Sequence, residues 1–339
     1  MNLVNFITRR PAFLFSTILL THNCTQNCLQ CTLPTQKLAE PLMSLNNIKQ
    51  IVDKLDSYGT QGLTISGGEP MIHPDLPEIL SYVGFKDFVY KHVLTTLYGS
   101  EKIVERTIKA VLENNLSISC SFDGFGKVAD ELRGAPNVSS KVMKAMELLD
   151  QENKKRKKPI PTSINLVISQ LNLDQIEDVL SYIESLGWKA DVDIYRWTSD
   201  NHREVEKMKI VDLEALQNKI EKVKKSPVVF TPGWLLDGYI DFLKGNFPKY
   251  CPFLSSSVFG SKFFIHPNGD VKVCIGEEIG NILHQTPKEI FQSLEWKSKK
   301  DKFLNCSGCW NTCYTITGKF SNYFHFDYFK SFGKLIAKH

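Results

Sequence analysis

The sequence lacks a strong net charge of either sign. Its 339 residues include 41 Lys and Arg against 37 Asp and Glu, which leaves a formal net charge of +4. So small an excess of positive charge does not indicate binding to nucleic acid or to other polyanions. The densest basic run, residues 154–158, is expected to be a solvated loop between a helix and a strand.

The sequence also lacks an apolar run long enough to span a bilayer. The longest such run near the N-terminus, residues 11–21, is shorter than the ~20 apolar residues that a membrane-spanning helix needs. It follows Arg9 and Arg10 and has no small-residue cleavage site before the cysteines, so it is not a signal peptide either. We therefore expect a cytoplasmic protein. Residues 1–15 and 323–339 mix aromatic side chains with Lys and Arg, which we expect to reflect core packing; contact with a membrane surface or a lipid substrate is the alternative.

Disulfides are not expected, although the chain has nine cysteines. A cytoplasmic protein keeps its thiols reduced, and clustered cysteines there indicate metal binding. Eight of the nine fall into two groups, Cys24, Cys28 and Cys31 in the first and Cys251, Cys274, Cys306, Cys309 and Cys313 in the second.

Strand-like and helix-like segments alternate along the first two thirds of the chain. Runs typical of strands cover residues 14–21, 62–66, 92–96, 116–122, 162–168 and 191–197, and helical periodicity covers residues 45–58, 76–83, 101–114, 141–153, 173–186 and 211–224. Six consecutive strand–helix units with apolar strands predict a parallel sheet covered by helices. The regular alternation favours a partial (β/α)6 TIM barrel of the α/β class over a doubly wound sheet.

These patterns predict five segments. An N-terminal extension covers residues 1–13, and the partial barrel covers residues 14–225. A linker at 226–250 follows, because Pro227, Pro232, Gly233 and Gly245 interrupt the alternation there. A small cysteine-rich domain at 251–320 and an aromatic, basic tail at 321–339 complete the chain.

The first cysteine group lies directly after the first predicted strand with the spacing C-x3-C-x2-C. Three thiolates can hold three irons of a four-iron cubane and leave the fourth iron open to a ligand that is not protein. Active sites of parallel barrels lie at the C-terminal ends of the strands, which is where this loop is expected. A closed zinc site would need a fourth ligand, which His22 or His73 would supply, so zinc is the alternative.

A second motif, Gly67, Gly68, Glu69 and Pro70, follows the second predicted strand. The two glycines allow the backbone to approach a ligand closely, and the Glu69 carboxylate is suited to an ammonium group. Alone, this sequence is also that of an ordinary turn between a strand and a helix. Its expected place beside the cysteine loop favours ligand binding.

Together, the C-x3-C-x2-C loop after strand one and the Gly-Gly-Glu-Pro turn after strand two resemble the radical S-adenosylmethionine (SAM) superfamily. In that family the three cysteines bind a [4Fe–4S] cluster, SAM chelates the fourth iron, and reductive cleavage of SAM gives a 5′-deoxyadenosyl radical. The resemblance implies an enzyme that abstracts hydrogen from a substrate C–H bond. It also implies a reductase partner such as flavodoxin or ferredoxin.

The resemblance extends to the fourth strand and beyond. Ser119, Asp123 and Arg133 resemble the family's segment that holds the SAM carboxylate and ribose, with Ser119 and Arg133 as candidates for the carboxylate. A plain turn at Asp123 and a solvated helix position for Arg133 are the alternatives. The stretch ending at Ile168 resembles the family's segment near adenine. One position departs from the family pattern, which usually has an aromatic residue before the third cysteine, whereas this chain has Gln30.

Cys120 is the ninth cysteine and lies between two strand serines. We expect it to be a small core residue. A catalytic role as a hydrogen donor to a radical is the alternative.

The second cysteine group follows an ordered pattern of its own. After Cys251 comes a predicted hairpin around residues 267–270 that ends at Cys274, then a helix, then Cys306 and Cys309. This order is similar to the SPASM and twitch extensions of radical SAM enzymes, and it implies one auxiliary [4Fe–4S] cluster fully ligated by these four cysteines. A complete SPASM domain needs more cysteines than remain, because only Cys313 is left, as an alternative ligand. A structural zinc knuckle is the competing interpretation.

The substrate is not defined by the sequence. Family members with such extensions modify ribosomal peptides, protein side chains and small molecules such as aminoglycosides. We expect oxidation, epimerisation or cross-linking of a small molecule or peptide in natural-product or cofactor biosynthesis. Only 23 residues precede Cys24, too few for an N-terminal domain that binds a leader peptide, which weakens the peptide interpretation unless a separate protein supplies recognition. The alternative function is a non-catalytic iron–sulfur or zinc protein for electron transfer or partner binding.

Overall fold

One nine-stranded sheet organises the protein in this computed structural model. The structure describes residues 15–31, 33, 42–196, 206–251, 253, 262–274 and 276–322. The predicted N-terminal extension and almost all of the predicted tail lie outside the described residues. The strands are β1 (Phe15–Leu19), β2 (Gly62–Ser66), β3 (Tyr90–Thr95), β4 (Ser117–Ser121), β5 (Thr162–Ile168), β6 (Lys189–Ile194), β7 (Lys262–Ile265), β8 (Asp270–Val273) and β9 (Glu277–Asn281).

The strand order is β6-β5-β4-β3-β2-β1-β7-β8-β9. Every pairing from β6 to β7 is parallel, and the β7–β8 and β8–β9 pairings are antiparallel. The predicted α/β class, with six parallel strands in sequential order, is confirmed. Parallel strands place their C-terminal ends at one edge of the sheet, so the loops after β1, β2 and β4 meet there.

Helices cover the sheet and connect its parallel strands. They are α1 (Leu45–Tyr58), α2 (Leu76–Gly84), α3 (Glu101–Glu113), α4 (Gly126–Arg133), α5 (Val138–Lys154), α6 (Ile176–Leu186), α7 (Leu213–Lys225), α8 (Gly233–Leu243), α9 (Pro287–Gln292), α10 (Leu294–Asn305) and α11 (Thr315–Asn322), with short 3₁₀ turns at Pro70–Ile72, Leu173–Gln175 and Glu206–Met208. Ser44 caps α1 by accepting a hydrogen bond from the Asn47 backbone N–H, and Gly59 ends it in a left-handed conformation. No helix among the described residues combines the length and apolar character that crossing a membrane requires.

The two faces of the sheet differ in polarity. Ile18, Ile65 and Val93 are register partners on adjacent strands, and all are fully buried in one hydrophobic core with the apolar face of α1. Thr64 and His92 belong to the alternate row of register partners. Because side chains alternate across a strand, this second row places polar groups on the opposite face of the sheet.

The C-terminal region differs from the prediction in two respects. Helix α8 lies inside the predicted linker, where Pro232 occupies the N-cap rather than breaking the chain, and Leu235 and Tyr239 are buried on one helical face. Strand β7 pairs with β1 and thereby extends the barrel sheet instead of forming a separate domain sheet. Lys54 of α1 reinforces this junction, because its ammonium group donates to the carbonyl of Ile282 at 2.6 Å.

Candidate active site

The turn at residues 67–70 holds the start of the cysteine loop. The Gly68 N–H donates to the Thr21 carbonyl at 2.6 Å, and the Glu69 N–H donates to the Asn23 carbonyl at 2.9 Å. A Cβ atom at Gly68 would lie 2.2 Å from the Asn23 oxygen, so only glycine allows this approach. The two motifs predicted from the sequence are therefore bonded directly to each other through their backbones.

Glu69 fixes this turn against the end of β3. Its carboxylate is fully buried and accepts four hydrogen bonds, from the Met71 N–H at 3.0 Å, the Thr95 hydroxyl at 2.6 Å, and the Thr96 N–H and hydroxyl at 2.7 and 2.6 Å. Burial raises the pKa of Glu69, and these bonds oppose that rise. A carboxylate has about four acceptor sites, so these donors occupy the acceptor sites of Glu69. Its predicted contact with an ammonium group stays a prediction, and the structure gives Glu69 a positioning role.

The C-terminal end of α4 holds the middle of the cysteine loop. The Asn27 N–H donates to the Arg133 carbonyl at 3.0 Å, and the Leu29 N–H donates to the Leu132 carbonyl at 2.9 Å. Gly134 adopts a left-handed conformation, and a Cβ there would lie 2.4 Å from the Asn27 oxygen. The loop is thus fixed from two sides, by the β2 turn and by α4, a helix that the sequence analysis missed.

Arg133 and Asp123 form a buried ion pair beside the loop. They are 7% and 2% exposed, and the Arg133 guanidinium contacts the Asp123 carboxylate through one nitrogen and lies 3.8 Å from the Cys28 sulfur through another. Burial alone would lower the pKa of Arg133, but the negative charges of Asp123 and Cys28 raise it above its usual value. The third nitrogen, Arg133 Nε, is buried without a hydrogen-bond partner among the described residues. It can therefore donate to an anionic group of a ligand.

Gln30 belongs to the same network. Its side-chain amide N–H donates to Asp123 Oδ2 at 3.2 Å, while Asp123 Oδ1 accepts from the Val167 backbone N–H at 2.9 Å. Because a carboxylate only accepts, the amide nitrogen must face Asp123 and the Gln30 oxygen must point away. That oxygen is buried without a partner in the described part of the chain. The residue that departs from the family pattern is thus an anchored polar group beside Arg133.

The three thiols of the loop influence one another electrostatically. Burial raises the pKa of Cys24 to about 11, and negative charge at Glu69, Cys28 and Cys31 adds to that rise. A thiol that resists ionisation alone becomes a thiolate on binding iron, so Cys24 beside two further thiols fits a cluster ligand set. Within the described ranges, no three His, Cys, Asp or Glu side chains converge as ligands of a single metal ion.

The two histidines considered as zinc ligands make other contacts. His73 Nε2 bonds the Met43 carbonyl at 2.9 Å and its Nδ1 accepts from the Asp75 N–H at 3.2 Å, so both ring nitrogens are engaged. His22 Nε2 lies 2.9 Å from His266 Nδ1, and both rings are buried. His266 follows β7, so a residue from the C-terminal region contacts the base of the cysteine loop.

Three other predicted site residues lie outside this network. The Ser119 hydroxyl bonds the Ser163 hydroxyl at 2.6 Å on the neighbouring strand. Cys120 and Ile168 are fully buried in the hydrophobic core. The core position of Cys120 agrees with the structural interpretation of that residue, and its role as a hydrogen donor, like the adenine contact of Ile168, stays a prediction.

The five C-terminal cysteines are also brought together. Burial raises the pKa of Cys274, with negative charge at Cys251, Cys309 and Cys306 adding to the effect. Burial likewise raises the pKa of Cys309 to about 12, although the Arg196 guanidinium opposes it. The Cys313 sulfur lies 3.9 Å from the Lys262 ammonium group. The sequence-predicted ligand set of Cys251, Cys274, Cys306 and Cys309 therefore shares one region, with Cys313 beside Cys309.

Comparison with known proteins decides the family. Residues 18–183 match the family model described as the radical SAM superfamily, which includes the cysteine loop, the turn and α4. These residues form a radical SAM domain. Members of this superfamily use a [4Fe–4S] cluster and SAM.

Curated relatives of this radical SAM protein differ in how much of it they cover. The subtilosin biosynthesis protein AlbA of Bacillus subtilis is 28% identical over 193 residues, which is 56% of this chain and 40% of AlbA. The AdoMet-dependent heme synthase of Methanosarcina barkeri is 24% identical over 332 residues, which is 89% of this chain and 92% of the synthase. The chain thus spans less than half of AlbA but nearly all of the synthase.

Solved radical SAM structures share the fold. Streptococcus suis SuiB bound to S-adenosylmethionine aligns over 91% of this chain and 74% of its own, with a TM-score of 0.63 and 16% identity. AnSMEcpe with bound AdoMet aligns over 95% of this chain and 98% of its own, with a TM-score of 0.62 and 15% identity. The alignment in both cases includes the C-terminal region of the radical SAM protein.

The residues of this site fit a [4Fe–4S] cluster and SAM. Cys24, Cys28 and Cys31 supply three thiols for the cluster. Arg133 Nε is a buried donor without a partner, and Gln30 Oε1 is a buried acceptor without one. An amino-acid carboxylate and a nucleoside carry the complementary groups, as SAM does. Neither Gln30 nor the Thr95–Thr96 pair was found by sequence reasoning, although Thr95 and Thr96 stand at the C-terminal end of a barrel strand, where functional residues are expected.

Proposed function

We propose that this protein is a radical SAM enzyme that reductively cleaves SAM and abstracts a hydrogen atom from a substrate C–H bond. The observation that carries the proposal is the position of the three-thiol loop, bonded on one side to the turn at 67–70 and on the other to α4 beside the orphan donor of Arg133. When bound, the cluster and SAM supply the radical chemistry. The protein supplies position and a site shielded from water.

Each residue of the network has a proposed part. Cys24, Cys28 and Cys31 ligate three irons, and Arg133 Nε donates to the SAM carboxylate. Asp123 holds the Arg133 guanidinium in that direction by their buried ion pair. The backbone of the Gly-Gly-Glu-Pro turn seats the SAM ammonium group, because the Glu69 carboxylate is committed to Thr95 and Thr96.

We further propose that Cys251, Cys274, Cys306 and Cys309 ligate one auxiliary [4Fe–4S] cluster, with Cys313 as the alternative ligand. The support is the mutual proximity of these thiols and the C-terminal extent of the likeness to SuiB. An auxiliary cluster can accept the electron that a substrate radical loses, so the proposed net reaction is an oxidation or a cross-link. Cys120, as a core residue, would have no part in it.

The proposed substrate is a peptide. AlbA, the sporulation killing factor maturation protein SkfB and a PqqA peptide cyclase are among the relatives, and SuiB has been solved bound to its precursor peptide. A small-molecule substrate is the second candidate, which the heme synthase favours because its match covers 89% of this chain. A flavodoxin or ferredoxin is the proposed electron donor.

Iron analysis and electron paramagnetic resonance (EPR) of anaerobically reconstituted protein test these assignments. We expect about eight irons per chain in the wild type and about four in a Cys24→Ala/Cys28→Ala/Cys31→Ala variant, because each cubane holds four. Cys120→Ala is the matched control and should keep all eight. Loss of every cluster signal in the triple variant would remove the auxiliary cluster from the proposal, and zinc in place of iron at the C-terminal site would establish the knuckle instead.

A further inference from the structure

Tyr314 carries a buried hydroxyl group that no described residue satisfies. The residue follows Cys313 directly, is 5% exposed, and its hydroxyl has no hydrogen-bond partner among the described residues. Buried hydroxyls are nearly always hydrogen-bonded, since an unpaired one gives up its bonds to water without replacement. The Tyr314 hydroxyl can therefore donate to a group that the described residues do not supply.

The Tyr314 ring is held firmly in place. Its centroid lies 5.6 Å from that of Phe253, which in turn stacks on Phe303 at 5.0 Å. The Tyr314 backbone N–H donates to the Asn311 side-chain oxygen at 2.7 Å, and the Asn311 N–H donates to the Thr315 hydroxyl at 2.8 Å. These contacts fix the position of the ring and of the hydroxyl it carries.

The C-terminal cysteines are the charged groups that act on this hydroxyl. In sequence, Tyr314 follows Cys313, and Phe253, which the Tyr314 ring contacts, lies two residues after Cys251. The pKa of Tyr314 is raised well above its usual value, first by burial and then by negative charge at Cys274, Cys313 and Cys309. The backbone N–H of Cys274 lies near the phenol oxygen but outside hydrogen-bond geometry. An N–H group can only donate to a lone pair of the phenol oxygen, so the hydroxyl hydrogen of Tyr314 still needs an acceptor.

We propose that Tyr314 donates its hydroxyl hydrogen to a sulfur atom of the auxiliary cluster, an inference that rests on the proposed function of the C-terminal cysteines. Tyr314 is then a positioning residue that sets the reduction potential of the cluster. Hydrogen bonds to cluster sulfur stabilise the more negative, reduced form and so raise the potential. This would favour the auxiliary cluster as an acceptor of the electron lost by a substrate radical.

A Tyr314→Phe variant tests the inference, with Tyr239→Phe as the matched control. Tyr239 is also fully buried, but its hydroxyl donates to the Val192 carbonyl at 2.9 Å. Redox titration followed by EPR is carried out in the Cys24→Ala/Cys28→Ala/Cys31→Ala background, where the auxiliary cluster gives the signal. Tyr314→Phe should shift the potential to a more negative value, lowering the ratio of reduced to oxidised cluster about fivefold at the wild-type midpoint. Tyr239→Phe should lower thermal stability and leave the potential unchanged.

A second readout uses the wild-type background, in case the triple variant does not fold. Pulsed EPR after exchange into deuterated water should show an exchangeable proton coupled to the auxiliary cluster, and Tyr314→Phe should remove it. An unchanged potential and an unchanged proton coupling in an iron-replete Tyr314→Phe protein would overturn the inference while leaving the auxiliary cluster in place. A wild-type protein with about four irons per chain would overturn both, because the hydroxyl would then have no cluster to meet.

Discussion

Removing the charge of Asp123 should cost this protein much of its stability. In an Asp123→Asn variant, the oxygen that accepts from the Val167 N–H can remain, but the amide nitrogen would face the Arg133 guanidinium, which is also a donor. Arg133 is 7% exposed and would become a buried cation without a countercharge. Breaking a buried ion pair by removing one partner costs ~3–5 kcal/mol. The bond from the Gln30 amide N–H to the same carboxylate oxygen is lost as well, because an amide nitrogen is a donor and cannot accept it.

The measurement is the urea concentration at the unfolding midpoint of the reconstituted protein under anaerobic conditions. Midpoints are compared between variants whose free energy of unfolding has the same dependence on urea concentration. Asp53→Asn is the matched control, because Asp53 pairs with Lys86 at 2.6 Å but its side chain is 51% exposed. An exposed pair of this kind is worth ~0–1 kcal/mol. An Asp123→Asn/Arg133→Met double variant should recover part of the loss, since the uncompensated charge is gone. Equal costs for Asp123→Asn and Asp53→Asn would refute the account of the buried network.

Three further predictions follow from individual contacts. Gly68→Ala should lose most of its cluster iron, because the added Cβ would lie 2.2 Å from a backbone oxygen of the cysteine loop, whereas Gly233→Ala, with nothing within 4 Å of its Cβ, should keep it; full iron in Gly68→Ala would contradict this. Burial raises the folded-state pKa of Asp191 from 3.8 to about 6, so the stability linked to its proton is present below pH 3.8 and lost as the pH rises through about 6. Asp191→Asn should therefore flatten the fall in urea midpoint between about pH 4 and pH 6.5, and an unchanged slope would count against the shift. His266→Phe should weaken SAM binding in equilibrium titrations several-fold by freeing the base of the cysteine loop from its 2.9 Å contact, while His284→Phe, an exposed change in the same region, should not; equal affinities would show that the histidine contact is dispensable.

The sequence was sufficient for features that depend on local pattern. The spacing of Cys24, Cys28 and Cys31 and the alternation of strands and helices are encoded within a few residues. The rule that functional loops follow the C-terminal ends of parallel strands was enough to bring the turn at 67–70 to the cysteine loop. These features needed no knowledge of distant contacts. Arg133 became a candidate through the resemblance to the radical SAM superfamily rather than through local pattern.

Features that depend on distant contacts were missed. The Gln30–Asp123 bond joins residues 93 apart in sequence, and the His22–His266 contact joins residues 244 apart. The pairing of β7 with β1 is equally nonlocal. No local propensity encodes such contacts, because their strength comes from burial that exists only in the folded chain. The helix at Gly233–Leu243 was not predicted, for another reason. A proline can begin a helix as readily as it can break one, and here the buried face of the helix makes Pro232 a helix start.

Formation of 5′-deoxyadenosine tests the central claim most directly. Reconstituted protein, incubated anaerobically with SAM and a strong reductant, should release 5′-deoxyadenosine in the wild type and in Cys120→Ala, and should release none in Cys24→Ala. Substrate peptide should increase the yield. A wild-type protein that holds its full iron, binds SAM and yet forms no 5′-deoxyadenosine with reductant and candidate substrates would contradict the assignment as a radical SAM enzyme and leave a non-catalytic iron–sulfur protein.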